Sequence, residues 1–469
     1  MKKRSNLSSA THPAQPDTVL PKGWAEATLE HLLASLESGS RPKGGVRGIE
    51  GGIPSVGAEH LNPDGGFRFE KVKFVPEDFF RRMNRGVIKC GDVLVVKDGA
   101  TTGKASLVRA DFPYSDAVVN EHVFVCRPAE GVESAFLFLY LFSKEGQERI
   151  LENFQGSAQG GINQGFAKGT TVPLAPLAEQ KRIVAKVEEL LARVNAAREH
   201  LAKVPAILKR FRQSVLAAAC SGRLTEEWRE AVGASEWEEK SLGEMTELVT
   251  SGSRGWAKHY SDTGALFIRA QNLSLDRLDL TDVAHVQLPV KGEGMRTLVS
   301  VNDILVTITG ANVTKTALVS ERVGEAYVNQ HVALVRLLKP EHSPYVWLWL
   351  ISPEHGRSQL LDAAYGAGVP GLNLRQIREV SVLLPSHGEQ QEIVRRVNEL
   401  FALANSIEKQ AAAGTARVEK LTQAILAKAF RGELIPQDPD DEPASILLDR
   451  IRIAREAGSK PSKVKRGER

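Results

Sequence analysis

Several groupings in this chain imitate catalytic motifs, and each fails on spacing or context. Gly99-Ala100-Thr101-Thr102-Gly103-Lys104 has the glycines and the lysine of a phosphate-cradling loop. Such a loop needs four residues between its glycines and a Ser or Thr after the lysine to hold magnesium. Here the spacing is one residue short and Ala105 follows. The related stretch Gly310 to Thr316 has Thr314 in place of the second glycine. Gly366 to Gly371 does fit Gly-x-Gly-x-x-Gly, but it follows a helix-like run, Leu360 to Tyr365, where a dinucleotide site needs a buried strand. All three read as Gly-rich turns or loops. Asn62-Pro63 continues into Asp64-Gly65, not into the aromatic end of an amino-methyltransferase tetrapeptide, and Pro63-Asp64 lacks the acidic-x-Lys strand of a metal-dependent nuclease. Asn120-Glu121-His122 and Asn329-Gln330-His331 could offer a general base or a metal ligand. Side chains two apart on a strand can equally satisfy local backbone groups, and no carboxylate or cysteine recurs beside them at ligand spacing. No catalytic, cofactor-binding or metal-ligating residue is therefore assigned, and the chain is read as a non-enzyme with no cofactor.

What remains is chemistry of recognition, and it comes in two unlike sets. An early loop carries Arg41, Lys43 and Arg47; a later one carries Arg254, Lys258 and His259. Downstream of each stands a second pair, Glu59-His60 in one case and Gln271-Asn272 in the other, which is expected to lie on a strand. Arg bonds guanine edges, Gln and Asn bond adenine, and Glu accepts from cytosine, while Lys or Arg in a loop also meets phosphate. The candidate DNA contacts are Arg41, Lys43, Arg47, His60, Arg254, Lys258, His259, Gln271 and Asn272.

The elements that must position these residues repeat at about 210 residues, too long a period for a solenoid unit. Glu179-Gln180-Lys181-Arg182-Ile183-Val184, running to Leu224, returns as Glu389-Gln390-Gln391-Glu392-Ile393-Val394, running to Leu434. Upstream, Trp24 matches Trp237, Ser38-Gly39-Ser40 matches Ser251-Gly252-Ser253, and the two Asn-x-His triplets match each other. Asp92 and Asp303, Gly99 and Gly310, and Asn163 and Asn373 are also kept. Residues common to both copies serve a shared scaffold; polar residues that differ are the better candidates for reading different targets. Each head is expected to be α+β with a mixed or antiparallel sheet. Val93–Val96 and Ile304–Val306 read as buried strands, and Ala135–Leu141 and Tyr345–Ile351 as helices.

After each head comes a long helix with apolar residues stepping alternately by four and three. The steps run Ile183, Val187, Leu190, Val194 onward to Ala218, and Ile393, Val397, Leu400, Ala404 onward to Ile425. That is a heptad seam, and each seam is the nearest apolar partner of the other, so an antiparallel coiled coil is expected. Pro205 is expected to kink or briefly break the first helix; Gly414 falls at nearly the matching place in the second. Gly222 and Gly432 read as helix stops.

Composition agrees with a soluble protein of two or three domains: 469 residues, 42% hydrophobic, 25% charged, net charge +4. No apolar run is long enough to cross a bilayer, and Met1 to Pro21 lacks the apolar core of a signal peptide. Cys90, Cys126 and Cys220 are scattered, which argues against a disulfide framework or zinc site and suits a reducing cytosol.

With heads and helices in place, the chain resembles the specificity subunit of a type I restriction–modification system over about Gly23 to Pro436. The most specific stretches are Pro173 to Val184 and Leu216 to Leu224, with second copies at Leu384 to Val394 and Leu426 to Leu434. Cys220-Ser221 stands where the second copy has Phe430-Arg431. The resemblance implies two target-recognition domains, each reading half of a split, asymmetric sequence in double-stranded DNA. It also implies a helical spacer setting the gap, two methyltransferase (modification) subunits docked on the chain, and motor-nuclease (restriction) subunits that join to cut. The expected segments are a flexible leader 1–22, a first recognition domain 23–175, a central spacer 176–224, a second recognition domain 235–385, a C-terminal spacer 386–435 and a basic tail 436–469. In the tail, Ala444 to Glu456 reads as a short amphipathic helix. The location implied is cytoplasmic. The rival readings are a stand-alone site-specific DNA-binding protein, a coiled-coil scaffold joining two protein-binding domains, and an enzyme whose motifs are not recognised.

Overall fold

A computed structural model describes residues 20–156, 160–253, 255–287, 296–366, 368 and 370–458. The chain divides into two compact units that do not follow its linear segments. One is Met1–Glu199 with Thr415–Arg469; the other is His200–Gly414. Each unit thus holds one head, the beginning of one long helix and the end of the other.

In the first unit a four-stranded antiparallel sheet has the order Leu33–Ser38, Val123–Pro128, Val93–Val96, Ala105–Leu107. In the second the order is Thr246–Ser251, Val332–Leu337, Ile304–Thr307, Thr316–Leu318. The registers correspond: Val93 faces Cys126 as Ile304 faces Val335, and both edge strands carry a bulge, at Leu33/Ser35 and at Thr246/Leu248. Side chains alternate across a strand. Val93 and Val95 therefore enter the core shared with the helices, and Leu94 and Val96 enter a separate core behind the sheet. Ile304 and Val306 divide from Leu305 in the same way. Burial on both faces explains why these strands are uniformly apolar and not alternating.

A smaller sheet completes each head. Ile53–Val56 pairs antiparallel with Lys73–Val75 and parallel with Val118–Val119. Ala265–Ile268 pairs antiparallel with Ala284–Val286 and parallel with Ala326–Val328. The apolar helices expected late in each head are Ser134–Phe142 and Ser343–Ile351, and both are buried. Further short helices follow them, Lys144–Leu151 and Gly356–Ala363, so each head has more than the single helix that its sequence advertised.

The long helices run Leu177–Cys220 and His387–Phe430, 44 residues each, or about 66 Å at roughly 1.5 Å per residue. In the first unit Ile183 and Val187 share a core with Leu426, Ala429 and Phe430. In the second, Val215 and Leu216 share one with Ile393 and Val397, and Arg212 donates to Asn405 (2.8 Å) and Glu408 (2.7 Å). The beginning of each helix thus meets the end of the other, which is antiparallel pairing. The seams do a second job as well, because the same residues close the cores of the heads. Of the kink or short break expected at Pro205, the break does not occur. The helix continues through it with the ring exposed; proline has no N–H to offer the carbonyl one turn earlier. Gly414 also lies within its helix, where the space of its missing Cβ is 3.4 Å from both Leu201 methyls. Gly222 and Gly432 do end the helical runs, in the left-handed conformation (φ +79° and +70°).

The segment Ala444–Gly458 is a helix that packs on the first unit, with Ala444, Leu447 and Ile451 in its core. Ala444 N–H donates to Gly23 O (2.8 Å), and the Arg455 guanidinium donates to the Glu30 and Leu33 carbonyls. This part of the expected tail therefore belongs to a folded domain; Lys460 to Arg469 lies outside the described residues. Among the described residues no helix is long and apolar enough to cross a membrane.

Candidate nucleic-acid interface

In each head the strand Ile53–Val56 or Ala265–Ile268 leads into a single 3-10 turn, Ala58–His60 or Ala270–Leu273. The pair expected on a strand sits on this turn. His60 is buried, and its Nδ1 accepts the Gly57 N–H at 2.9 Å. Burial pushes its pKa below the usual 6.5, which favours the neutral ring. Asn272 is buried likewise: its Oδ1 accepts the Arg269 N–H at 2.9 Å, and its Nδ2 donates to the carbonyls of Asp279 and Asp282. These two expected base contacts are thus placed as matching caps that fold the turn. Their neighbours face outward. Glu59 is half exposed, with Lys73 Nζ at 3.7 Å. Burial pulls the Glu59 carboxyl upward, but a backbone hydrogen bond and the nearby His60 and Lys73 outweigh it, leaving it below the usual carboxylate value. Gln271 is exposed and donates one amide N–H to Asp282 (3.1 Å).

The basic loops begin at the repeated Ser-Gly-Ser. A Cβ on Gly39 would lie 1.7 Å from Val119 O, and one on Gly252 would lie 2.1 Å from Val328 O. Only glycine allows the loop to press against the Asn-x-His turn. In the first head this closeness pairs Arg41 with Glu121 at 3.0 Å, while Lys43 and Arg47 are exposed. In the second, Lys258 is exposed and His259 half-buried, on the short turn Trp256–His259 that is anchored by Trp256 stacked on Phe267 (5.0 Å between centroids). Arg254 lies outside the described residues.

The Asn-x-His residues lie in a tight turn between strands, not on one. Asn120 Oδ1 accepts the His122 N–H and Asn329 Oδ1 accepts the His331 N–H, both at 3.0 Å. His122 Nδ1 also meets Asp98 Oδ1 (2.6 Å), whereas His331 meets Gln330. Two of the three failed nucleotide loops have backbone partners at their described residues. Gly99–Lys104 turns a hairpin between two strands, with Gly103 N–H donating to Val96 O. Gly371 is bridged to Tyr365 and to Thr309.

Two anchors hold each head, built on residues that the repeat marks as common scaffold but whose partners it does not reveal. Asp92 takes a two-pronged hydrogen bond from Arg127 (2.8 Å each) and caps Lys89 N–H; Asp303 does the same for Arg336 and Ser300 N–H. Trp24 Nε1 donates to Glu179 Oε2 and Trp237 Nε1 to Glu389 Oε2, both at 3.0 Å, so the first turn of each long helix is bonded to the start of its head. Gln180 and Gln390 bond the carbonyls of Ala175 and Pro385 at 2.8 Å. The repeated Glu-Gln is therefore a buried joint. Its repetition was the available signal, but the tryptophan partners of the glutamates, more than 150 residues away, were not visible.

Two heads of one scaffold with unlike outward residues, each followed by a long helix of an antiparallel pair, define a protein with an internally duplicated architecture. A model of the type I restriction modification DNA specificity domain matches residues 21–204 and again 234–413. The chain belongs to that family and is a DNA sequence-recognition subunit, not itself an enzyme. It is 37% identical to the type I restriction enzyme EcoBI specificity subunit of Escherichia coli over 63% of this chain and 67% of that one. With the EcoKI specificity subunit of E. coli strain K12 it shares 29% identity over 95% and 99% of the respective chains. The HsdS subunit from Thermoanaerobacter tengcongensis has the same fold: TM-score 0.59 and 23% identity, covering 88% of this chain and 98% of the other.

Proposed function

We propose that each head reads one half of a split, asymmetric DNA target and that the paired helices fix the gap between the halves. The observation that supports this most strongly is the pairing of an identical scaffold with different exposed residues. Registers, bulges, caps and Asp–Arg anchors coincide in the two heads, while exposed Glu59 stands opposite exposed Gln271, and the loop of Arg41, Lys43 and Arg47 corresponds in the sequence to that of Lys258 and His259. Each good base contact contributes roughly 1–3 kcal/mol of discrimination. Linking two weak readers makes the second engagement intramolecular, so specificity multiplies only when the spacing fits. Exposed Lys and Arg supply salt-sensitive affinity through phosphate.

The chain acts in the cytoplasm, in a complex with two methyltransferase subunits that rotate and modify the target base and with motor-nuclease subunits that cut unmodified DNA. Mapping methylated bases in the native genome, with this gene intact and deleted, tests the reading. A split motif with a constant gap that disappears on deletion is expected; a methylome unchanged by deletion overturns it. A chain that purifies alone as a sequence-specific monomer would instead favour a stand-alone DNA-binding protein.

A further inference from the structure

We propose that Glu59 and Gln271 are equivalent base-reading positions, one in each head, and that their chemistry assigns a C·G pair to one half-site and an A·T pair to the other. This rests on the DNA-recognition reading above.

The two residues occupy the same place in three dimensions. Each is the second residue of its 3-10 turn, directly before the buried capping residue (His60, Asn272) and shortly after the strand that enters the turn. The backbone bonds that set the turn coincide. Gly57 O accepts from His60 N (3.0 Å) as Arg269 O accepts from Asn272 N (2.8 Å), and Val56 O accepts from Asn120 N as Ile268 O accepts from Asn329 N (both 3.0 Å). The cap is kept in role although His has become Asn. The outward residue has no such structural task, and it differs.

Cations offset the charge of Glu59, and Gln271 carries none. A carboxylate facing phosphates is repelled unless cations flank it. Glu59 has Lys73 beside it and shares a shallow cleft with Arg41, itself paired to Glu121. An ionised carboxylate only accepts hydrogen bonds, and in the major groove this matches the N4 amine of cytosine. Gln271 gives one amide hydrogen to Asp282, which fixes its plane. Its second hydrogen and its oxygen remain, one donor and one acceptor, and that pair matches N7 and N6 of adenine.

The test is the full chain expressed with its methyltransferase subunits, and methylome mapping of wild type, Glu59→Gln and Gln271→Glu. Each substitution should lower methylation at original sites by about 5- to 150-fold. Each should also change the required base at one position, E59Q in one half-site and Q271E in the other, leaving the gap as it was. An unchanged motif and rate in either variant overturns the proposal. A variant that no longer co-purifies with its partner subunits overturns it too, because the side chain would then serve folding. A wild-type methylome without any split motif would instead sink the DNA-recognition reading beneath it.

Discussion

The joint between each head and its long helix should be unequal in the two units, because two buried glutamates in matching positions have different company. Glu389 is fully buried and accepts three hydrogen bonds, from Trp237 Nε1 (3.0 Å), Thr225 Oγ1 (2.8 Å) and Arg229 Nε (2.9 Å). Glu179 has only Trp24 Nε1 (3.0 Å), and its Oε1 has no hydrogen-bond partner among the described residues. Glu389→Gln removes the anion facing Arg229 and turns one acceptor into a donor. Breaking a buried pair costs about 3–5 kcal/mol. Arg229 is 29% exposed, and solvent screening reduces the figure to about 2–3 kcal/mol. Glu179→Gln keeps an acceptor for Trp24 and removes a charge that is poorly compensated, so its effect should stay within about 1 kcal/mol of zero. Burial pushes the Glu179 carboxyl above its usual 4.5. Between the unfolded and folded pKa the native state holds the extra proton, so wild-type stability falls as pH rises through the folded pKa. Any advantage of E179Q should therefore be present at neutral pH and vanish below 4.5. Hydrogen exchange read by mass spectrometry measures both. E389Q should speed local exchange around residues 223–245 by about 30- to 150-fold if opening is local, and E179Q should leave residues 23–30 nearly unchanged. Equal losses, or a larger loss in E179Q, would refute the reasoning.

Three other outcomes are expected. His60→Asn should retain the cap that Asn272 makes in the second head, whereas His60→Ala should cost about 1 kcal/mol for the orphaned Gly57 N–H, measured by urea denaturation. The folded His60 titrates below 6.5, so as pH falls below that value the unfolded chain takes up a proton that the native state refuses; wild-type stability should drop there and H60N should lack that component. Lys43→Ala and Arg47→Ala should each lower the salt slope of DNA binding by the assembled complex by about 1, with Arg41→Ala giving less because Glu121 already pairs it; unchanged slopes would remove these residues from the phosphate contacts. Inserting one heptad into both long helices adds about 10.5 Å to each, or about three base-pair steps at roughly 3.4 Å. The gap in the methylated motif should lengthen accordingly, and an unchanged gap would count against the helices as its ruler.

The sequence by itself determined whatever is periodic or repeated. Heptad steps placed both long helices, because a helix face is fixed by residues three and four apart. Uniform apolar runs such as Val93–Val96 and Ile304–Val306 placed the central strands, and Gly222 and Gly432 marked the helix stops, because left-handed backbone favours glycine. The repeat separated common scaffold from variable surface. Tertiary structure alone decided which polar residues are spent inside. His60 and Asn272 look like base readers in a string of letters, yet their side chains turn inward to close a backbone turn, and the outward position falls to Glu59 and Gln271. It also decided that Glu179 and Glu389 reach back to Trp24 and Trp237, and that the helix Ala444–Gly458 completes the first head. Local spacing sets the direction of a side chain only within its own element. What that side chain meets depends on segments far away in the chain, whose arrival no local pattern records.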